Sequence, residues 1–326
     1  MKSLASNFLI GSFETDSKVR RFLKIMELKT SVPKNFLDLF YNEIECEIPD
    51  TQSKLNLRIL KIENNRFCYD DLVDKLAECV VHFTLSRTSL EDLSVEGKYS
   101  KPYREAVRRF RDYTNNDGEA GELLLYCFLE AHLNAPKIVS KLELKTSSND
   151  YVKGSDGVHI LKLDDKEYQL IFGESKLHTG LTSSLSEAFQ SIHDFIDRPK
   201  NNINHEISII NTQLLKEAYD EDLYKLIKEI IIPKANNPKE IKKDNAFAIF
   251  AGFNIELSDV EKKMGNREFE IHLRNRIRFE VEGKKENIKN KIQQHQLYGY
   301  TFYTYIFPFI DIENTRKTII QKLTTP

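Results

Sequence analysis

Between Tyr168 and Lys176 the chain runs Tyr-Gln-Leu-Ile-Phe-Gly-Glu-Ser-Lys, and no other stretch limits its fold as tightly. Tyr168-Gln169-Leu170-Ile171-Phe172 lacks the alternation of a strand with one wet face, so it predicts a strand covered on both sides. A strand covered on both sides needs packed layers above and below it, which points to an α/β architecture. Side chains alternate across a strand, so Glu174 and Lys176 leave one face and Ser175 the other. The two charges can therefore share one site. Gly173, just ahead of them, lets another backbone or a ligand approach closely.

The neighbouring segments extend the layout. Val152 to Leu163 predicts a second strand, and the polar turn Asp164-Asp165-Lys166 joins it to the first as a hairpin that returns Asp156 toward Glu174. A helix over Gly121 to Leu133 and a strand near Ile138 to Thr146 precede the hairpin. A helix follows it, with Leu185, Phe189, Ile192 and Ile196 on one face and Ser184 and Glu187 at capping-box spacing. Ala246 to Ile255 predicts a further strand, then a helical stretch, then the aromatic run Tyr300 to Ile310. Ile232 to Asn245, with Pro233 and Pro238, predicts an exposed loop. Helix, meander, helix and strand make an α/β sandwich, a mixed central sheet flanked by helices.

Before residue 97 helical and strand-like segments alternate, among them a strand at Leu55 to Ile62 and an amphipathic helix at Asp70 to Ser86. The polar stretch Glu91 to Ser100 is the expected linker. Two regions result: residues 1–97, an α+β region, and residues 98–326, the region that carries the chemistry. A chain of 326 residues, 40% hydrophobic, has room for both. No apolar stretch reaches signal-peptide or membrane-spanning length, so no membrane partner and a cytoplasmic location are expected. Cys46, Cys68, Cys79 and Cys127 lack zinc-type spacing and suit buried, reduced thiols.

A net charge of −2 does not mark the whole chain as a nucleic-acid binder. Local clusters carry that question. Lys101 to Tyr113 has a helical pattern with Arg104, Arg108 and Arg111 along one face, which suits either phosphate contact or plain solvation. A second basic stretch, Arg274 to Lys291, is diluted by Glu270, Glu280, Glu282 and Glu286 and is expected to be ordinary solvated surface.

Hydrolysing a phosphodiester near neutral pH needs a nucleophilic water and a counter to charge on the leaving oxygen, and a divalent ion serves both needs. Mg²⁺, or Mn²⁺, prefers carboxylates and waters, so Asp156 and Glu174 are candidate ligands, with Lys176 left to orient water or offset developing charge. Glu119 and Glu122 share one side of a helix start and are candidates for a third acid. Glu122 is preferred because it directly precedes Leu123-Leu124-Leu125. The plainer alternative is a Glu174–Lys176 ion pair at a strand end. His159 should face away from Asp156 and bond within the fold, His178 is a candidate substrate contact, and His193 should meet solvent. Gln190 is either a polar helper or a surface residue. No phosphate loop and no nucleophile elbow occur.

Three segments together carry a resemblance: Gly118-Glu119-Ala120-Gly121-Glu122-Leu123-Leu124-Leu125-Tyr126, Lys145 through His159 with Gly154-Ser155-Asp156-Gly157 inside it, and Gly173-Glu174-Ser175-Lys176. They resemble the HamA family of the Hachiman anti-phage defence system, within the PD-(D/E)xK nuclease superfamily. The likeness is strong over about residues 100 to 200. It implies a PD-(D/E)xK-type core and a metal-dependent DNase that works with a HamB-like helicase to abort infection. Carried over by position, Asp156 and Glu174 are metal ligands, Lys176 the catalytic lysine and Glu122 the helix acid. Ser155 departs from the proline of the superfamily's name motif. The N-terminal region is then a candidate surface for helicase or DNA. A non-catalytic DNA- or helicase-binding scaffold and a restriction or repair endonuclease are the competing functions.

Overall fold

A computed structural model describes residues 28–95, 100–111, 118–139, 154–197, 203–217, 221–232 and 241–324. In chain order its main elements are β1 (Phe40–Glu47), β2 (Lys54–Leu60), α1 (Tyr69–Thr84), α2 (Arg87–Val95), α3 (Ser100–Arg111), α4 (Glu119–Ala131) and β3 (Lys137–Val139). There follow β4 (Gly157–Asp164), β5 (Glu167–His178), α5 (Leu181–Asp197), α6 (Ile203–Glu217), α7 (Glu221–Ile231) and β6 (Lys242–Asn254). The chain closes with α8 (Asn266–Glu282), α9 (Lys285–Gln294), β7 (Thr301–Phe309) and α10 (Ile312–Thr324).

The strands form one seven-stranded mixed sheet in the order β1-β2-β7-β6-β5-β4-β3. β5, β6 and β7 run parallel at its centre, β2 joins β7 in parallel, and β4 returns antiparallel to β5 as the expected hairpin. The mixed α/β architecture inferred from the chain is therefore present. Among these strands β7 is buried along its whole length, which explains its aromatic, non-alternating sequence. Where it is described, the stretch expected as linker is helical, residues 91–95 ending α2 and Ser100 opening α3, and the sheet spans it: β1 and β2 lie before it, yet β2 pairs with β7 from the far end of the chain.

The two faces of the sheet are covered by different helices. α4 lies over Gly173, Ser175 and Leu177, because a Cβ on Gly121 would collide with Ser175 Oγ and one on Gly173 would meet Leu125 at 3.1 Å. Phe128 of the same helix stacks on Tyr305 at 5.2 Å. α5 covers the opposite face, where Phe195 meets Phe172 at 5.6 Å and Phe189 meets Phe302 at 5.1 Å. Burial of these rings on both sides is the main source of cohesion. A buried polar cluster ties the early chain to α4: Glu130 accepts the Val32 and Lys137 amides, each at 3.0 Å, and the Tyr126 hydroxyl at 3.2 Å.

Several expectations need correction. Ser184 is not a helix cap: α5 begins three residues earlier, at Leu181, and Ser184 is buried, its hydroxyl donating to Gly252 O at 2.7 Å. Residues 242–245, expected to be loop, belong to β6, where pairing with β5 extends the strand past its apolar core. The strand expected near Ile138 to Thr146 begins as β3, which ends at Val139; its remainder, and the rest of that loop between 233 and 240, lie outside the described residues. α6 and α7 were not anticipated.

Candidate functional site

β5 carries Gly173-Glu174-Ser175-Lys176 toward its C-terminal end. Strand alternation puts Glu174 and Lys176 on the α5 face, opposite the face that α4 covers. Lys176 Nζ lies 2.6 Å from Glu174 Oε1, with the side chains 26% and 14% exposed. Asp156 reaches the same place from the hairpin partner. Its amide donates to Gly173 O at 2.8 Å, and its Oδ2 accepts the Ser175 amide at 2.7 Å. These two bonds close the strand end around the carboxylate. The expected meeting of Asp156, Glu174 and Lys176 is thus present.

Electrostatics mark the trio as unusual. Burial, and next the Asp156 carboxylate, push the Glu174 carboxyl from 4.5 up to about 7, against the pull of Lys176 and a hydrogen bond with Ser191 of α5. A lysine 2.6 Å away would ordinarily hold a glutamate low. Here burial and the second acid prevail. Lys176 is itself raised: burial would lower it, but Glu174, then Asp156 and Glu187, favour its charged form. Two acids and one lysine leave an excess of negative charge in a partly closed place, which is the condition that draws in a cation.

Glu122 enters from the other face. It is half-buried and lines, with Asp156, a small hollow whose walls include Phe83, Tyr126, Lys137 and His159. Burial does not favour it, because Glu119 is the more deeply buried of the two acids. Its place beside Asp156 supports it instead. Among the described residues no three His, Cys, Asp or Glu side chains are gathered tightly enough to hold a metal ion by themselves. The donor chemistry still fits Mg²⁺ or Mn²⁺, which bind through one or two carboxylates and keep several waters.

The histidines divide cleanly. His159 is buried, its Nδ1 is 2.8 Å from Ala135 O, and burial pulls it down to about 4, so it bonds within the fold as expected; it does not turn away from Asp156, with which it lines the same hollow. His178 Nε2 lies 2.9 Å from Glu187 of α5, beyond Lys176 on the same face. His193 lies 3.4 Å from Asp197 and its ring packs on His295. Gln190 donates to Asp194 on the exposed side of α5, so it is a surface glutamine.

The arginine face is only partly described. Arg104 and Arg108 are exposed on α3, Arg104 near the Ser100 hydroxyl and Arg108 paired with Glu105 at 2.8 Å. The Arg111 side chain lies outside the described residues. The second basic stretch is largely paired, with Arg274 on Glu43 and Glu270, Arg278 on Glu282 and Lys289 on Asp50. All four cysteines are free thiols, Cys79 and Cys127 buried and Cys46 and Cys68 partly so. No helix among the described residues is long and apolar enough to cross a membrane. Sequence reasoning missed Glu206 and Ser191, both polar residues on helices, because nothing local shows which strand a helix will meet. Compared with known families, residues 34–323 match the HamA family model. No protein of curated function matches the chain.

Proposed function

The chain belongs to the HamA family of the Hachiman anti-phage defence system, and on that footing we propose that it is a metal-dependent DNA nuclease acting with a helicase partner of the HamB kind. The carrying observation is the convergence of Asp156, Glu174 and Lys176 at one partly buried strand end, with Glu174 raised to about 7 by burial and by Asp156. A bound Mg²⁺ or Mn²⁺ supplies Lewis-acid activation of water and offsets charge on the scissile phosphate. Asp156 and Glu174 are the residues that would hold it, and Glu122, which lines a hollow with Asp156 on the α4 face, would join them from the Asp156 side. Lys176 keeps its proton and offers a positive Nζ to the developing charge or to the attacking water. The PD-(D/E)xK superfamily assignment belongs to this same proposal.

A second reading, a scaffold that binds DNA or a helicase without cutting, draws on the absence of a tight three-ligand cluster among the described residues. Plasmid DNA incubated with Mg²⁺ and the protein, alone and with its helicase, separates the two. We expect cleavage that EDTA, Glu174→Ala and Lys176→Ala each abolish. Cleavage indifferent to both substitutions would refute the site, and a folded, helicase-bound protein that never cuts would favour the scaffold.

A further inference from the structure

The turn that delivers Asp156 is held by a helix carrying none of the expected site residues. Glu206, in the first turn of α6, is only 8% exposed. Its Oε1 accepts a hydrogen bond from Ser155 Oγ at 3.0 Å, and Ser155 is buried too. The same carboxylate presses against Gly154, where any Cβ would collide with it. The next residue is Asp156, fixed on its other side by Gly173 O and the Ser175 amide. Glu206, Ser155, Asp156 and the end of β5 therefore form one continuous run of contacts.

A buried carboxylate is costly to keep unless donors satisfy it, so its presence against this particular turn calls for a reason. We propose that Glu206 is a positioning residue: through Ser155 it fixes the Gly154–Asp156 turn, and so sets where the Asp156 carboxylate stands relative to Glu174. The inference rests on the reading of Asp156 and Glu174 as a cation-binding pair. Groups that orient a ligand without touching the ion typically change metal affinity by about ten- to a hundredfold.

The test uses the full chain with Glu206→Ala, Glu206→Gln, Ser155→Ala and the Ser155→Ala/Glu206→Ala double variant. Hydrogen exchange is followed over residues 154–160, and Mn²⁺ is titrated against the melting temperature. Exchange in that segment should quicken about tenfold in Glu206→Ala and in Ser155→Ala. The Mn²⁺ needed for half the thermal shift should rise about tenfold in both. Glu206→Gln keeps an oxygen for the Ser155 hydroxyl and should recover most of each effect. The double variant should be no worse than either single one, because both act through one bond. Unchanged exchange in Ser155→Ala, which preserves the helix whatever Glu206→Ala does to folding, overturns the proposal. So does faster exchange with an unaltered Mn²⁺ requirement. A wild-type protein indifferent to Mn²⁺ instead overturns the cation reading, and exchange alone then decides whether Glu206 holds the turn.

Discussion

Glu174 is the residue on which the site turns, and its titration makes a checkable claim. An acid raised from 4.5 to about 7 binds its proton more tightly in the folded protein than in the unfolded chain. Between those values the folded state holds more protons, so stability falls as pH rises and the full penalty is felt above about pH 7. The shift corresponds to at most about 3 kcal/mol. Denaturant unfolding of the ion-free protein should show wild type losing stability relative to Glu174→Gln from pH 5 to pH 8. A difference that stays flat across that range would mean that burial does not govern Glu174. Asp156→Asn keeps an oxygen for the Ser175 amide but removes the charge, so it should move the transition to lower pH. Much of this was legible in the chain, because alternation alone places Glu174 beside Lys176 and the polar turn returns Asp156 to them. The raised acid was not legible, since it depends on how tightly α5 seals the strand.

At the scale of elements, α4 and α5 grip β5 from opposite sides, and glycine makes the first contact close enough. A Cβ on Gly121 would run into Ser175 Oγ and approach Leu177. Gly121→Ala should therefore cost about 1–3 kcal/mol in denaturant unfolding, whereas Gly299→Ala, with nothing near its added Cβ, should cost far less. Equal costs would show that α4 does not sit as closely as described. The central strands were the readable elements, because a doubly covered strand writes itself as an apolar run, whereas the half-exposed edge strand β1 was not anticipated. Helix ends were less so. Ser184 and Glu187 have the spacing of a capping box, yet the helix starts at Leu181, and the serine turns inward to Gly252 while Glu187 meets His178. Glu206 was beyond sequence reading for a related reason: a glutamate in the first turn of a helix is ordinary, and only the packing of α6 on the Gly154–Ser155 turn makes it notable.

At the scale of the molecule, one sheet spans the early and late chain. The expected division near residue 97 separates stretches of sequence, while β2 lies against β7 in the same sheet. A chain beginning at residue 98 would bare the edge of β7, an entirely buried strand of mostly aromatic and apolar residues. Such an edge pairs with whatever it meets. We expect that fragment to aggregate on size-exclusion chromatography, and a monodisperse, cooperatively melting fragment would show that the C-terminal region stands alone. The long-range pairing that joins the regions leaves no local trace, which is why the chain reads as two parts. The overall charge, −2, together with the pairing of much of the second basic stretch, also predicts weak DNA binding by the protein without its partner. Tight, strongly salt-dependent binding of the lone protein in a fluorescence-anisotropy titration would contradict that.

The proposed nuclease activity depends on a divalent ion held between Asp156 and Glu174. Calorimetric titration of Mn²⁺ into the wild-type protein at pH 8, beside Asp156→Ala and Glu174→Ala of matched folding, tests that most directly. Saturable binding is expected for the wild type, with a loss of at least about tenfold in affinity for each variant. Identical isotherms for all three proteins would contradict it.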